Sequence, residues 1–300
     1  MYCLVVLYAT GFRISVERVM VRNRYAFLYC KGLVVNDEGG QTWEKKFGVV
    51  AMLDALGGRV FNIEETQRFL ERRQKFLDDP DLKKTFQQMC RYATERKTEP
   101  PRLFTFQDSI ILHWNVGSTN FKKYPEFVLP QIGAWLVNSI VTGLIVGFPT
   151  RGAVAIGEYV QDATSLLGPA VSDAAAWYEK ADWFGVIATP ACGHRISHLA
   201  EFFDLKKRPL DDKNVSSWFF RYKVPLTGGN FARMWAVSWP RCLCVISSGQ
   251  QYTPRWSLFN TLAQFPVPPG TENKYANTIR FFDTYMRLRV NAAPAAKGNN

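Results

Sequence analysis

Residues 47–60 read FGVVAMLDALGGRV, and this stretch decides the fold. Its first seven residues form a short, unbroken apolar run, which predicts a buried β-strand. The run ends at Asp54, and two glycines follow, so the strand leads into a turn of the kind that borders a ligand site. A carboxylate at a buried strand end is costly unless a cation or hydrogen-bond donors satisfy it. Asp54 is therefore the first candidate functional residue.

The segments that follow alternate between helix and strand signals. Asn62, with Glu65 three residues later, predicts the cap of a helix that runs to about Phe76. Residues 103–114 (LFTFQDSIILHW) predict two strands that bend at Asp108. The other predicted elements are helices over Leu82–Lys97, Glu126–Val146 and Ala170–Lys180, and strands over Gly152–Val160, Gly185–Thr189, Trp218–Lys223 and Arg233–Trp239.

Counted with the first two helices as one layer, the first six elements form a βαββαβ unit. Such a unit closes into a sheet with helices packed on one face, which is an α+β architecture. We divide the chain into an N-terminal extension (1–46), a central domain (47–240) and a C-terminal extension (241–300) that ends in a disordered tail.

The charge distribution argues against a nucleic-acid partner. The net charge is +11, but residues 47–240 carry 23 basic and 20 acidic side chains, so the excess lies at the two ends. No recognised nucleic-acid-binding module is present, and aromatic residues are not interleaved with Lys and Arg. The six cysteines show no disulfide framework, and the N-terminus shows no secretory signal. We therefore expect reduced thiols and a cytoplasmic protein.

Residues 127–150 hold no charged side chain and are long enough to cross a bilayer. A membrane span and the buried helix of a globular domain both satisfy this test. Pro130, Gln131, Asn138 and Ser139 dilute the apolar run, which favours the buried helix. We therefore expect no membrane association.

Asp54 and Asp108 end or bend neighbouring strands, so the fold would bring them together. Two aspartate carboxylates, with water and phosphate completing the shell, form the kind of site that Mg²⁺ or Mn²⁺ occupies in phosphoryl chemistry. The alternative is that both are ordinary turn residues, as Asp often is. Cys192, His194 and His198 form only a partial zinc set, without a fourth ligand.

Four pieces in register resemble class III adenylyl and guanylyl cyclases, over about residues 47–190. They are VVAMLDALGGRV (49–60), FTFQDSIIL (104–112), RGAVAIGEYV (151–160) and LLGPAVSDAAAWYEKA (166–181). The resemblance implies a ferredoxin-like βαββαβ core, a head-to-tail homodimer with groups from both subunits in each site, and two Mn²⁺ or Mg²⁺ ions. It also implies that Asp54, Asp108 and the carbonyl of Ala55 hold the metal, and that the backbone around Gly57, Gly58 and Arg59 cradles phosphates.

The departures from the family pattern concern the substrate. Positions where many cyclases use Asn and Arg fall on Ser172 and Ala176, so the arginine that steadies the transition state is missing. The two base-reading positions fall on Phe104 and Ser165, which removes the usual purine readout. Phe104 would stack on the base, or it is simply a core aromatic residue. Substitute cations are Arg59, Arg151, Arg221 and Lys223.

Among such proteins, the chain most resembles the bacterial antiphage pyrimidine cyclases of Pycsar systems. The resemblance implies an enzyme that converts UTP, or less favourably CTP, into a 3′,5′-cyclic nucleotide and pyrophosphate. Two alternatives remain open: a degenerate cyclase-like module that binds a nucleotide or a partner without turnover, and a purine cyclase.

Overall fold

The computed structural model of the chain describes residues 45–56, 62–123, 125–161, 165–205, 215–247, 254–264, 267 and 269–292. Within these residues the strands are β1 (Lys45–Ala55), β2 (Arg102–Phe106), β3 (Ser109–Asn115), β4 (Thr150–Gln161), β5 (Leu166–Leu167), β6 (Gly185–Ala188), β7 (Phe219–Pro225) and β8 (Phe231–Val237). The helices are α1 (Ile63–Asp78), α2 (Pro80–Glu95), α3 (Ser118–Lys123), α4 (Pro125–Val146), α5 (Pro169–Trp177), α6 (Pro190–Leu205), α7 (Val215–Trp218), α8 (Pro240–Ser247), α9 (Pro254–Leu262) and α10 (Glu272–Ala292).

The strands form one sheet in the order β2-β3-β1-β4-β6-β8-β7, with the short β5 paired to β4. Each of the first four strands in this order is antiparallel to its neighbours among them. With the helices between them, they make the ferredoxin-like βαββαβ arrangement, so the predicted α+β fold class is confirmed. β6 then adds parallel to β4, and the β7–β8 hairpin extends the sheet beyond it.

One face of the sheet is covered by the central helices. Alternate residues of β1, namely Val49, Ala51 and Leu53, are fully buried in the main core with α1, α2 and α4. Among the described residues one helix, Glu126–Val146, is long and apolar enough to cross a membrane, and 78% of its apolar window is buried inside the fold. The core that α4 builds therefore accounts for its apolar composition.

The opposite face is covered only in part, and by α5. Val50 and Ala155 of the sheet pack there with Ala170 and Ala174 of α5 in a second, smaller cluster. The side chains of Met52, Phe104 and Ile111 are only half-buried on the uncovered area. Helices therefore lie on both faces of the sheet. The prediction of helices on a single face considered only the first six elements, which do not include α5.

The C-terminal helix α10 is tied to the sheet. The Asn277 side-chain amide donates a hydrogen bond to the carbonyl oxygen of Asp182 at 2.9 Å, and the Phe184 N–H donates to Thr278 Oγ1 at 2.9 Å. Phe281 packs edge-on against Trp183, with ring centroids 4.4 Å apart. Part of the predicted C-terminal extension therefore belongs to the core. Residues 1–44 and 293–300, which hold most of the predicted N-terminal extension and of the tail, lie outside the described residues.

Candidate active site

Asp54 and Asp108 lie at the same end of the sheet. Asp54 is the last residue but one of β1, where it pairs in register with Ser109 of β3 and Arg151 of β4. Asp108 is in the two-residue turn between β2 and β3. The Ala55 N–H donates a hydrogen bond of 2.9 Å to the Asp108 carbonyl oxygen, which fixes the turn against the end of β1. The structure thus brings the two predicted metal-binding aspartates together.

The Asp54 carboxyl is buried, with 8% of the residue exposed. Burial raises its pKa to about 6, and the negative charges of Asp108 and Glu179 act in the same direction. The charge and hydrogen bond of Arg151 oppose this rise. Asp54 therefore lies in a pocket of negative charge that one guanidinium compensates only in part, and a further cation would stabilise its ionised form.

Arg151 connects Asp54 to the end of α5. Its Nε donates to Asp54 Oδ2 at 3.1 Å, and its Nη1 donates to the backbone carbonyl of Glu179 at 3.1 Å. The Glu179 carboxylate lies 3.8 Å from Nη2 and accepts a hydrogen bond from the Tyr178 hydroxyl at 3.1 Å. The Arg151 side chain is 13% exposed, so this ion pair with Asp54 is partly shielded from water.

Glu179 is a site residue that the sequence did not reveal. The only signal was its place in the run WYEKA (177–181), directly after α5. Its contact with Arg151 depends on α5 running back along β4 toward the Asp54 end of the sheet, which no local pattern encodes.

The donor set at Asp54 and Asp108 fits a divalent cation that keeps part of its water or phosphate shell. Within the described part of the chain there is no group of three or more His, Cys, Asp or Glu side chains that could hold a metal. Two carboxylates and a backbone carbonyl, as predicted for Asp54, Asp108 and Ala55, match the sparse protein shell that Mg²⁺ commonly takes. The partly uncompensated charge at Asp54 is the observation that favours such an ion.

Phe104 lies on the same face of the sheet as Asp54. It pairs in register with Ile111, which pairs with Met52 of β1. Strand spacings place its backbone about 12 Å from that of Asp54. Its ring stacks on the His113 imidazole, with centroids 5.3 Å apart and planes at 15°. One face of the Phe104 ring is therefore occupied by His113, and the side chain is half-buried.

Within one chain, the other predicted substrate residues that the structure describes do not lie with Asp54 at its end of the sheet, apart from Arg151. Ser165 lies beyond the far end of β4, about 33 Å along the strand from Arg151. Lys223 is on β7, four strands and about 19 Å across the sheet from β1. Its ammonium group lies 5.0 Å from the centroid of the Phe231 ring. Ser172 is exposed in the first turn of α5. Gly57, Gly58 and Arg59 lie outside the described residues.

A cavity lies where α5 ends. It has a volume of about 410 Å³ and is lined by Ala176, Trp177, Lys180, Leu226, Thr227 and Asn230. Lys180 is exposed there, one helical turn beyond the position where the resemblance would place an arginine. The partial zinc set is not assembled: Cys192 is fully buried, whereas His194 and His198 are exposed.

Comparisons with known proteins give weak likenesses only. No protein-family model and no curated protein matches the sequence. Among solved structures, the adenylyl cyclase CyaB from P. aeruginosa matches with 12% identity and a TM-score of 0.33, over 65% of this chain and 95% of that one. The guanylyl cyclase Cya2 matches with 10% identity and a TM-score of 0.34, over 65% and 93%. Because both TM-scores lie below 0.5, neither likeness carries an argument about the activity of this chain.

Proposed function

We propose that this protein is a metal-dependent nucleotidyl cyclase. The observation that carries the proposal is the meeting of Asp54 and Asp108 at one end of a ferredoxin-like sheet, joined by the hydrogen bond from the Ala55 N–H to the Asp108 carbonyl. Residues 54 places apart contribute the two carboxylates, and the uncovered sheet face beside them leaves room for a substrate. The motifs in these same strands resemble class III cyclases.

Asp54, Asp108 and the Ala55 carbonyl would hold Mn²⁺ or Mg²⁺. A bound divalent ion supplies Lewis-acid charge that lowers the pKa of the substrate's 3′-hydroxyl and neutralises its phosphates. Glu179 orients Arg151, and Arg151 keeps Asp54 ionised while presenting further N–H donors at the same sheet end. An arginine there suits the planar, bidentate recognition of phosphate oxygens.

The proposed reaction is an intramolecular phosphoryl transfer. The 3′-oxygen forms a bond to the α-phosphorus as the bond from that phosphorus to the bridging oxygen breaks. Pyrophosphate leaves with the electron pair, and the hydroxyl proton passes to water. Neither aspartate has to accept a proton in this scheme, so both remain free to act as anions.

The substrate proposed is a pyrimidine triphosphate, with UTP ahead of CTP. Phe104 supports this, because an apolar ring at that position offers stacking and no polar readout of a purine edge. We also propose a cytoplasmic homodimer, in which the half-buried area around Met52 and Ile111 faces a second copy and Lys223 and Ser172 reach the partner's site. A role in antiphage defence rests on the resemblance alone.

One observation favours a degenerate module that binds a nucleotide without turnover. α5 presents Ser172 and Ala176 at the positions where the resemblance calls for Asn and Arg. Lys180 at the neighbouring cavity, or Arg151 beside Asp54, would have to replace the missing cation. The presence of both aspartates favours the enzyme over this module.

Incubation of the purified chain with Mn²⁺ and each of the four labelled ribonucleoside triphosphates tests the proposal. We expect a cyclic nucleotide and an equal amount of pyrophosphate from one pyrimidine triphosphate. If all four remain intact at high protein concentration, the binding module is the better assignment.

A further inference from the structure

A charged residue interrupts the apolar face of α1. Phe69, Arg73 and Phe76 are spaced i, i+4 and i+7, so they lie on one side of the helix. Phe69 and Phe76 both pack against Phe148, with ring centroids 5.3 Å away in each case. Arg73 is half-buried on this side of the helix, from which its guanidinium can reach a neighbouring element.

The partner of Arg73 is the turn that carries Asp108. Arg73 Nη1 donates a hydrogen bond of 2.9 Å to the backbone carbonyl of Gln107, 34 residues away. The next carbonyl, that of Asp108, accepts from the Ala55 N–H. Both carbonyls of this two-residue turn are thus held from outside the hairpin, one by α1 and one by β1.

The turn needs such support because its first residue is strained. Gln107 has a φ of 51°, in the left-handed region that favours glycine. A non-glycine residue there costs on the order of 1 kcal/mol or more and persists only where its surroundings impose it. The pairing of Phe106 with Ser109 imposes that conformation, and the two external hydrogen bonds fix the turn in place and set where the Asp108 side chain begins.

We infer that Arg73 is a positioning residue, which holds the β2–β3 turn so that Asp108 stays beside Asp54. The inference deepens the proposed function and rests on it where metal binding is concerned. The placement of the turn itself can be measured without any reaction.

The experiment compares Arg73→Met with Arg72→Met, a matched change at an exposed neighbour on the same helix. Hydrogen exchange of metal-free protein is followed on peptides that cover residues 53–56 and 106–109. Losing a charged donor should speed exchange of the Ala55 amide about tenfold in Arg73→Met and leave it unchanged in Arg72→Met. The dissociation constant of Mn²⁺, measured by electron paramagnetic resonance, should rise by about 10- to 100-fold in Arg73→Met alone.

Two further variants separate positioning from charge. Arg73→Lys keeps the charge and a donor group. Its amide exchange rate and its Mn²⁺ dissociation constant should therefore lie between those of the wild type and those of Arg73→Met. Adding Gln107→Gly to Arg73→Met removes the cost of the positive φ, and it should restore part of the Mn²⁺ affinity. If the double variant binds Mn²⁺ as weakly as Arg73→Met does, the inference is contradicted. Arg73 would then not act by maintaining the conformation of the turn.

The outcomes distinguish this inference from the proposed function. If Arg73→Met equals Arg72→Met in both exchange and Mn²⁺ affinity, Arg73 has no positioning role, whether or not the wild type is active. If Arg73→Met shows faster exchange and weaker Mn²⁺ binding while the wild type converts no triphosphate, the positioning role stands and the proposed reaction fails.

Discussion

Asp54 and His113 lie on the same face of the sheet, Asp54 at the end of β1 and His113 within β3, opposite Val50. Both are buried, with 8% and 2% of the residue exposed. Arg151 bonds directly to Asp54 and opposes the effect of burial, so the pKa of Asp54 rises only to about 6. At neutral pH Asp54 is mostly ionised.

Burial also favours the neutral form of His113, which for a base means a lower pKa. Its pKa falls from the ordinary value of 6.5 to about 4, because burial and the positive charges of Arg102 and Lys46 outweigh the opposing charge of Glu99. Its Nδ1 lies 3.3 Å from the Tyr159 hydroxyl, and its Nε2 has no partner among the described residues. His113 is therefore neutral. Burial favours the neutral form of both groups, but Asp54 starts from a lower pKa and has Arg151 as a direct partner, so it keeps its charge at neutral pH whereas His113 does not.

The largest effect is expected at Asp54 and Asp108, the charged end of this sheet face. Asp54→Asn and Asp108→Asn keep the side-chain size but remove the anions that would hold the metal, so turnover should fall by about 10³-fold or more. Turnover is measured as pyrophosphate release. In metal-free protein, Asp54→Asn also removes a buried charge that is only partly compensated, so it should not lower the free energy of unfolding. Near wild-type turnover in either variant would remove that aspartate from the site.

The second effect concerns the free energy of unfolding and its dependence on His113. Above pH 6.5 His113 is neutral in both the folded and the unfolded chain, so its burial costs no protonation energy. As the pH falls from 6.5 to 4, the unfolded chain binds a proton that the folded chain does not, and about 3 kcal/mol of stability is lost. Denaturant unfolding at a series of pH values should show a flatter profile in His113→Phe than in the wild type.

The control for His113 is Tyr159→Phe, which removes the hydroxyl beside the imidazole but no group that titrates in this range. It should keep the slope of the wild type between pH 6.5 and 4. Equal slopes in all three proteins would mean that His113 does not stay neutral on folding.

The features that could be predicted from the sequence are those with a local pattern. The apolar runs and the Asn62 cap placed β1 and α1 to within a few residues, and Asn62 Oδ1 accepts from the Glu65 N–H at 2.8 Å. Asp54 and Asp108 were predicted as site residues because a carboxylate at the end or bend of an apolar run can be recognised from the local sequence. The polar residues and Pro130 within residues 127–150 also indicated that α4 is a buried helix.

Compensating groups could not be predicted in this way. Arg151 is 97 residues from Asp54, and their contact follows from the register of β4 on β1. Glu179 reaches that pair only because α5 folds back over β4. Helix α10 was not predicted, although Phe281 and Phe282 are buried in it. For Arg151 and Glu179 the missing information is tertiary.

The smallest effect is expected at Arg151, the cation that opposes the effect of burial on Asp54. Arg151→Met removes the cation from Asp54, so the pKa of Asp54 should rise further and a larger share of it should be protonated at neutral pH. The ion pair is partly shielded from water, so we expect kcat/KM to fall by roughly tenfold. Because the protonated fraction of Asp54 shrinks at higher pH, the loss should be greater at pH 6.5 than at pH 8.5. A loss of kcat/KM that does not depend on pH would show instead that Arg151 acts on the phosphates directly. The control is Glu179→Gln, which leaves Arg151 in place, so its kcat/KM should fall less than that of Arg151→Met at every pH.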